Sequence, residues 1–144
     1  MTAPTAFWDS SAIVPLCVTQ TGGAAAEKLF KLHPMAVWWI TRVEIISAIQ
    51  RLVRTGELQP ARAAAGERQL ALLQNAWREV QPGVRVREIA ASLLARHPLC
   101  AADSLQLAAA LIWCRENPHS RLLFTNDKQM QTAAGLLGFD ARQI

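Results

Sequence analysis

Short apolar runs alternate along the chain with longer stretches whose apolar residues recur at helical spacing. Thr5 to Trp8 is an apolar run that stops at Asp9. Ser11 to Val18 reads as a short helix despite Pro15, and Gly22-Gly23 break it. Ala24 to Leu32 forms a second helix, with Leu29 and Leu32 on one face, and Pro34 ends it. Ala36 to Ile40 is a compact run of strand type. A helix follows from Thr41 to Arg54, its apolar positions being Ile45, Ile46, Ile49, Leu52 and Val53, and Gly56 stops it. Pro60 suits a first helical turn, and a long helix runs to about Trp77. Val80 belongs to a short stretch of strand before Pro82-Gly83. Val84 to Arg96 is helical up to Pro98, and Ala101 to Cys114 is a strongly apolar helix. Arg121 to Thr125 is a strand, Lys128 to Leu137 a helix closed by Gly138, and Phe139 to Ile144 a last edge strand.

Strands separated by helices pair in parallel and pack helices on both faces. The pattern predicts a single domain over residues 1–144: a three-layer α/β/α sandwich around a central, mainly parallel sheet. The segment from Gly56 to Arg96 holds two helices without a clear strand between them, so it reads as a helical arm inserted into that core.

The 144 residues suffice for one hydrophobic core, and an apolar fraction of 51% excludes a disordered chain. The net charge is +4, with twelve Arg against three Lys. Arg is the planar, bidentate phosphate binder, which fits a nucleic-acid partner as well as it fits a solvated basic surface. Cys17, Cys100 and Cys114 are widely spaced, so neither a zinc knuckle nor a disulfide framework is expected. No signal peptide or transmembrane-length apolar run is visible, and the expected location is the cytoplasm.

Three of the four aspartates occupy informative places. Asp9 follows the first strand in F-W-D-S-S, and Asp127 follows a later one in L-L-F-T-N-D. The carboxyl ends of parallel strands line the ligand crevice, so both belong on one edge of the sheet. Asp103 opens an apolar helix and shares its inward face with Leu107 and Ala110. Glu44 lies between Val43 and Ile45 in the first turn of its helix. A carboxylate aimed at a core is costly unless it is paired or binds a metal. Each acid alone has an ordinary explanation. Asp9 and Asp127 suit helix caps, Asp103 a helix dipole, and Glu44 a surface pair with Arg51. Together, all four fall at strand ends or helix starts, where such a sheet gathers its site. Hard oxygen donors without convergent His or Cys suit Mg²⁺ or Mn²⁺, and the matching chemistry is phosphodiester hydrolysis.

At these residues the chain resembles a PIN domain. The resemblance rests on Asp9-Ser10-Ser11 after a strand and on Thr41-Arg42-Val43-Glu44 at a helix start. It continues with Asp103-Ser104-Leu105-Gln106-Leu107-Ala108 opening an Ala- and Leu-rich helix, and with Thr125-Asn126-Asp127-Lys128 after a strand. Order and spacing agree across nearly the whole chain. The resemblance implies a Mg²⁺- or Mn²⁺-dependent endoribonuclease of the VapC toxin type, cutting structured RNA such as tRNA or rRNA. It also implies restraint by a VapB-like antitoxin and dimerisation through helices. Asp9, Asp103 and Asp127 would surround the metal, with Glu44 completing the catalytic set. Ser10, Thr125 and Asn126 would steady the carboxylates. Arg42 and Lys128 are the leading RNA contacts, with Arg51, Arg54 and Arg62 extending the patch. Many relatives carry an acid where this chain has Gln129, which bears on a second metal ion.

Three rival readings have distinct signatures. A receiver-like phosphoacceptor module needs an acidic pair after the first strand, where Asp9 stands alone. A catalytically inactive PIN-like RNA-binding or scaffold protein would keep the fold and lose the chemistry, and Gln129 is its only sequence hint. DNA is an alternative substrate. The Trp38-Trp39 pair points to opposite faces of a strand, so at least one ring belongs to the core. His33, His97 and His119 each sit near a Pro at an element end, which suits loop or capping roles.

Overall fold

The computed structural model describes residues 4–19 and 23–144; Gly22, half of the expected break, lies outside them. The described elements are β1 (Ala6–Trp8), α1 (Ser10–Val18), α2 (Gly23–Leu32), β2 (Met35–Trp38), α3 (Thr41–Arg54) and α4 (Pro60–Ala76). They continue with β3 (Arg78–Val80), α5 (Val84–Arg96), α6 (Ala101–Trp113), β4 (Leu122–Phe124), α7 (Lys128–Leu137) and β5 (Asp140–Arg142). The five strands form one sheet in the order β3-β2-β1-β4-β5, and every pairing is parallel.

Alternation along the central strands divides the core into two layers. Ala6 and Trp8 of β1, with Met35 and Val37 of β2, face α1, α2, α3 and α4. Phe7, Ala36 and Trp38 face α5, α6 and α7. The strand ends at Trp38, two residues short of the expected Ile40; Trp38 is buried in the core, and Trp39 stands in the following turn, about half exposed.

The segment expected as an inserted helical arm is arranged differently. It is cut by β3, which pairs with β2 through Ala36↔Arg78, Val37↔Glu79 and Trp38↔Val80. Its two helices go to opposite faces: α4 supplies Ala63, Leu70 and Leu73 to one layer, and α5 supplies Val86, Ile89 and Leu93 to the other. The segment is therefore a regular crossover that extends the sheet, and no arm is formed. Its strand was hard to see because an edge strand is half solvated, and Arg78-Glu79-Val80 carries no apolar alternation.

Two local devices set the helices around the site. Pro15 lies inside α1 and has no N–H for the carbonyl of Ser11 four residues earlier. The Nδ2 of Asn126 donates to that carbonyl at 3.2 Å, docking the segment after β4 onto α1. Gly66 lets α4 close on α1: a Cβ there would stand 3.0 Å from the Cys17 carbonyl oxygen. Gly inside a helix sacrifices about 1 kcal/mol relative to Ala, so the close approach must offset it. Gly66→Val is expected to destabilise the protein by about 1–3 kcal/mol through overpacking. A thermal-unfolding midpoint at or above wild type would show that the contact yields freely.

Candidate active site

Connectivity places the site. From β1 the chain builds outwards to β2 and β3, then returns to add β4 and β5 on the other side of β1. The strand order therefore reverses between β1 and β4, and ligand crevices open at the carboxyl ends of strands at such a switch point. Asp9 directly follows β1, and Asp127 closes the loop after β4. A two-residue turn after β2 delivers α3 and Glu44, while the first turn of α6 brings Asp103.

These carboxylates meet at one cleft of about 730 Å³, lined by Glu44, Asp103, Asp127, Ser10, Ser11 and Arg51 among others. Asp9 lies behind the lining residues Ser10 and Ser11, buried with 2% of its surface exposed. Its Oδ2 accepts from the hydroxyls of Ser11 at 2.6 Å and Thr125 at 2.8 Å. Each hydroxyl also accepts a backbone N–H, Ser11 from Asn126 at 2.8 Å and Thr125 from Asp127 at 3.1 Å. Two peptide dipoles are thus relayed onto one carboxylate oxygen. Oδ1 lies 3.5 Å from the Ser10 hydroxyl, and the backbone amides of Ser10 and Ser11 also act on the carboxylate. Asp9 precedes α1 without the usual side-chain capping bond to the amide two or three residues on. Asp127 does cap its helix, accepting from the Met130 amide at 2.8 Å.

Electrostatics ties the four acids together. Burial pushes the Asp9 carboxyl above the ordinary aspartate value, against the lowering effect of its hydrogen bonds. Glu44 is raised by burial and by the nearby charges of Asp9 and Asp103. Asp103 is raised by burial and by Asp127 and Asp9, although a hydrogen bond from Cys100 opposes this. The acids therefore sense one another's charge across the cleft. Among the described residues no three acid, His or Cys side chains already close into a metal-binding group. A divalent cation would offset the repulsion among such acids. The donors fit a hard divalent ion: the cleft is lined by carboxylates and hydroxyls, with no His or Cys among its lining residues.

The remaining expected residues separate. The Ser10 hydroxyl lies between Asp9 and Glu44, 3.4 Å from Glu44 Oε2. Thr125 holds Asp9. Asn126 ties α1 to the chain end, its Oδ1 accepting from the Ile144 amide at 2.9 Å. Arg42 is exposed and donates to Gln74 of α4, outside the cleft. Lys128 and Gln129 line a different groove with His97 and Leu136. Arg62 donates to the Val18 carbonyl at 3.2 Å. Arg51, expected only to extend the patch, is the cation that lines the acidic cleft. Two polar residues had no assigned role in the sequence reading. Ser11 holds Asp9, and Gln106 is fully buried and donates to Glu44. The signal for Gln106 was present: a polar side chain three residues after Asp103, inside an otherwise apolar helical run.

The fold and its cleft define an α/β sandwich with an acidic pocket at the switch point of a parallel sheet. The chain belongs to the PIN domain family, whose pattern it matches over residues 6–136. Two solved structures share the architecture. A toxin-antitoxin complex from Klebsiella pneumoniae matches with a TM-score of 0.63 and 16% identity, covering 87% of this chain and 89% of that one. The crystal structure of PAE2754 from Pyrobaculum aerophilum matches with a TM-score of 0.65 and 19% identity, covering 98% of this chain and 90% of that one. No curated protein sequence matches the chain significantly. Among the described residues no helix is long and apolar enough to cross a membrane, and Cys17, Cys100 and Cys114 are free thiols.

Proposed function

We propose that the protein is a Mg²⁺- or Mn²⁺-dependent endoribonuclease acting in the cytoplasm as the toxin of a toxin–antitoxin pair. One observation carries the nuclease reading: Glu44, Asp103 and Asp127, from three separate segments, line one cleft over the buried Asp9. Asp9, Asp103 and Asp127 would hold the cation. When bound, such an ion supplies Lewis acidity and a lowered water pKa at the phosphodiester. Ser11 and Thr125 fix the Asp9 carboxylate by donating to Oδ2, and Oδ1 would be the oxygen offered to the cation. Glu44 either orients the attacking water or joins the set through a water molecule. Its raised proton affinity suits a group that receives a proton.

Structured RNA such as tRNA or rRNA is the proposed substrate. Arg51 shares the cleft with the acids, so it is placed to hold a phosphate beside the scissile one. Arg51→Ala is expected to raise KM about tenfold and to reduce the salt dependence of binding by about one phosphate contact. An unchanged KM and salt slope would remove Arg51 from the substrate path. The toxin assignment is supported by the PIN family and by the fold shared with the Klebsiella complex. A VapB-like antitoxin and a second copy of this chain are the proposed protein partners. A short adjacent reading frame whose product co-purifies with the protein and suppresses cleavage is the expected result. The nuclease itself is tested by cleavage of total RNA with Mn²⁺ and with EDTA, where cleavage surviving EDTA would contradict it.

A further inference from the structure

We propose that Gln106 is a positioning residue that fixes the Glu44 carboxylate at the cleft; the inference rests on the nuclease reading above. Gln106 is fully buried, yet its side chain is an amide in a helix whose other buried residues are Leu, Ala and Ser104. Its Nε2 donates to Glu44 Oε1 at 2.8 Å and to Thr41 Oγ1 at 3.0 Å. Thr41 and Glu44 are three residues apart at the start of α3, so one amide group spans one turn of that helix. Asp103 and Gln106 have the same spacing on α6, so this helix supplies both an acid to the cleft and the tether of another acid.

The two helices belong to opposite layers: Ile45 and Ile49 of α3 pack on one face of the sheet, Leu107 and Leu111 of α6 on the other. Side chains from the two layers therefore join over the carboxyl edge. The chemistry of the tether matters. A long flexible glutamate needs a donor to hold one rotamer, and Ser10 gives Oε2 only a contact of 3.4 Å. An Arg or Lys in place of Gln106 would neutralise the charge that attracts a cation. A neutral amide orients Glu44 and leaves that charge intact. Both amide protons of Gln106 are used, while its buried Oε1 has no partner. A buried acceptor left alone is costly, which argues that the Nε2 bond to the charged Glu44 carboxylate sets the amide's orientation.

The test compares Gln106→Met, which keeps length and burial but removes both bonds, with Thr41→Val, which removes only the bond away from Glu44. Gln106→Met is expected to lower kcat at least tenfold with KM for RNA unchanged. Thr41→Val should keep kcat within threefold. A loss in Gln106→Met below twofold, while Asp9→Asn is inactive, overturns the positioning role and leaves the nuclease reading standing. Equal losses in Gln106→Met and Thr41→Val overturn it as well, because a helix-bridging role alone would give that result. A readout independent of activity and of the folding of Gln106→Met is the side-chain amide signal of Gln106 in nuclear magnetic resonance. Its two protons should exchange slowly, and Glu44→Ala should shift one of them. An amide signal blind to Glu44→Ala overturns the tether. If the wild-type protein leaves RNA uncut in the presence of Mn²⁺, the nuclease reading fails, and this signal alone decides whether Gln106 holds Glu44.

Discussion

Asp9→Asn is expected to lower RNA cleavage by well over 100-fold, since even the outer partners of metal ligands are worth about 10–100-fold. Asp9 is the most enclosed of the four acids and the one whose surroundings are most fully built. Two hydroxyls, each backed by a peptide N–H, converge on its Oδ2. Asparagine can accept both hydroxyl bonds through its carbonyl oxygen, so the fold should persist. What is lost is the negative charge directed at the cleft. Thermal unfolding without added metal should show the variant to be at least as stable as wild type, because the buried charge is costly. An Asp9→Asn protein that folds normally and cleaves RNA at more than a tenth of the wild-type rate would refute the role given to Asp9.

The second large effect is on stability as a function of pH and metal. Asp9, Glu44 and Asp103 all have carboxyls raised above their ordinary values of 3.8, 4.5 and 3.8. A carboxyl raised in the folded state contributes stability that is fully present below its unfolded value and lost as pH rises through its folded value. The metal-free protein is therefore expected to lose stability as pH climbs above 3.8 for Asp9 and Asp103 and above 4.5 for Glu44. Glu116 and Asp140 work in the opposite sense, because Arg85 and Arg142 hold their carboxyls below the ordinary range. Both pairs are exposed and screened, so their contribution is small. Saturating Mg²⁺ or Mn²⁺ should restore the midpoint most strongly near neutral pH, by about 2.7 kcal/mol at a hundredfold excess over Kd. Asp9→Asn should show both a flatter pH profile and a smaller metal effect. A wild-type midpoint that ignores divalent cations at neutral pH would contradict the proposed site.

The acids and their supporting strands were legible because strand ends carry strong local signals. Asp9 and Asp127 each terminate an apolar run, and the parallel connectivity that follows from alternating elements puts such ends on one edge. The ordered set of four segments made the PIN resemblance visible in the sequence, and the family match over residues 6–136 bears it out. Contacts between distant residues were not legible. Nothing local indicates that Gln106 reaches Glu44, 62 residues away, or that Asn126 fills the carbonyl freed by Pro15. The strand β3 showed in the sequence only at Val80, because its edge position leaves Arg78 and Glu79 polar, and without a clear strand the segment read as an arm. Proximity in sequence is also a poor guide to which basic residue stands at the cleft. Arg42 lies two residues from Glu44 and turns towards α4, whereas Arg51, seven residues after Glu44, returns to its face of the helix.

Anomalous diffraction from crystals grown with Mn²⁺ measures the central claim most directly. The expected density is a single strong peak in the cleft, at roughly 2.0–2.3 Å from carboxylate oxygens of Asp9 and Asp103, with Asp127 within reach through water. A crystal with Mn²⁺ bound elsewhere and no peak between Asp9 and Asp103 would contradict the account.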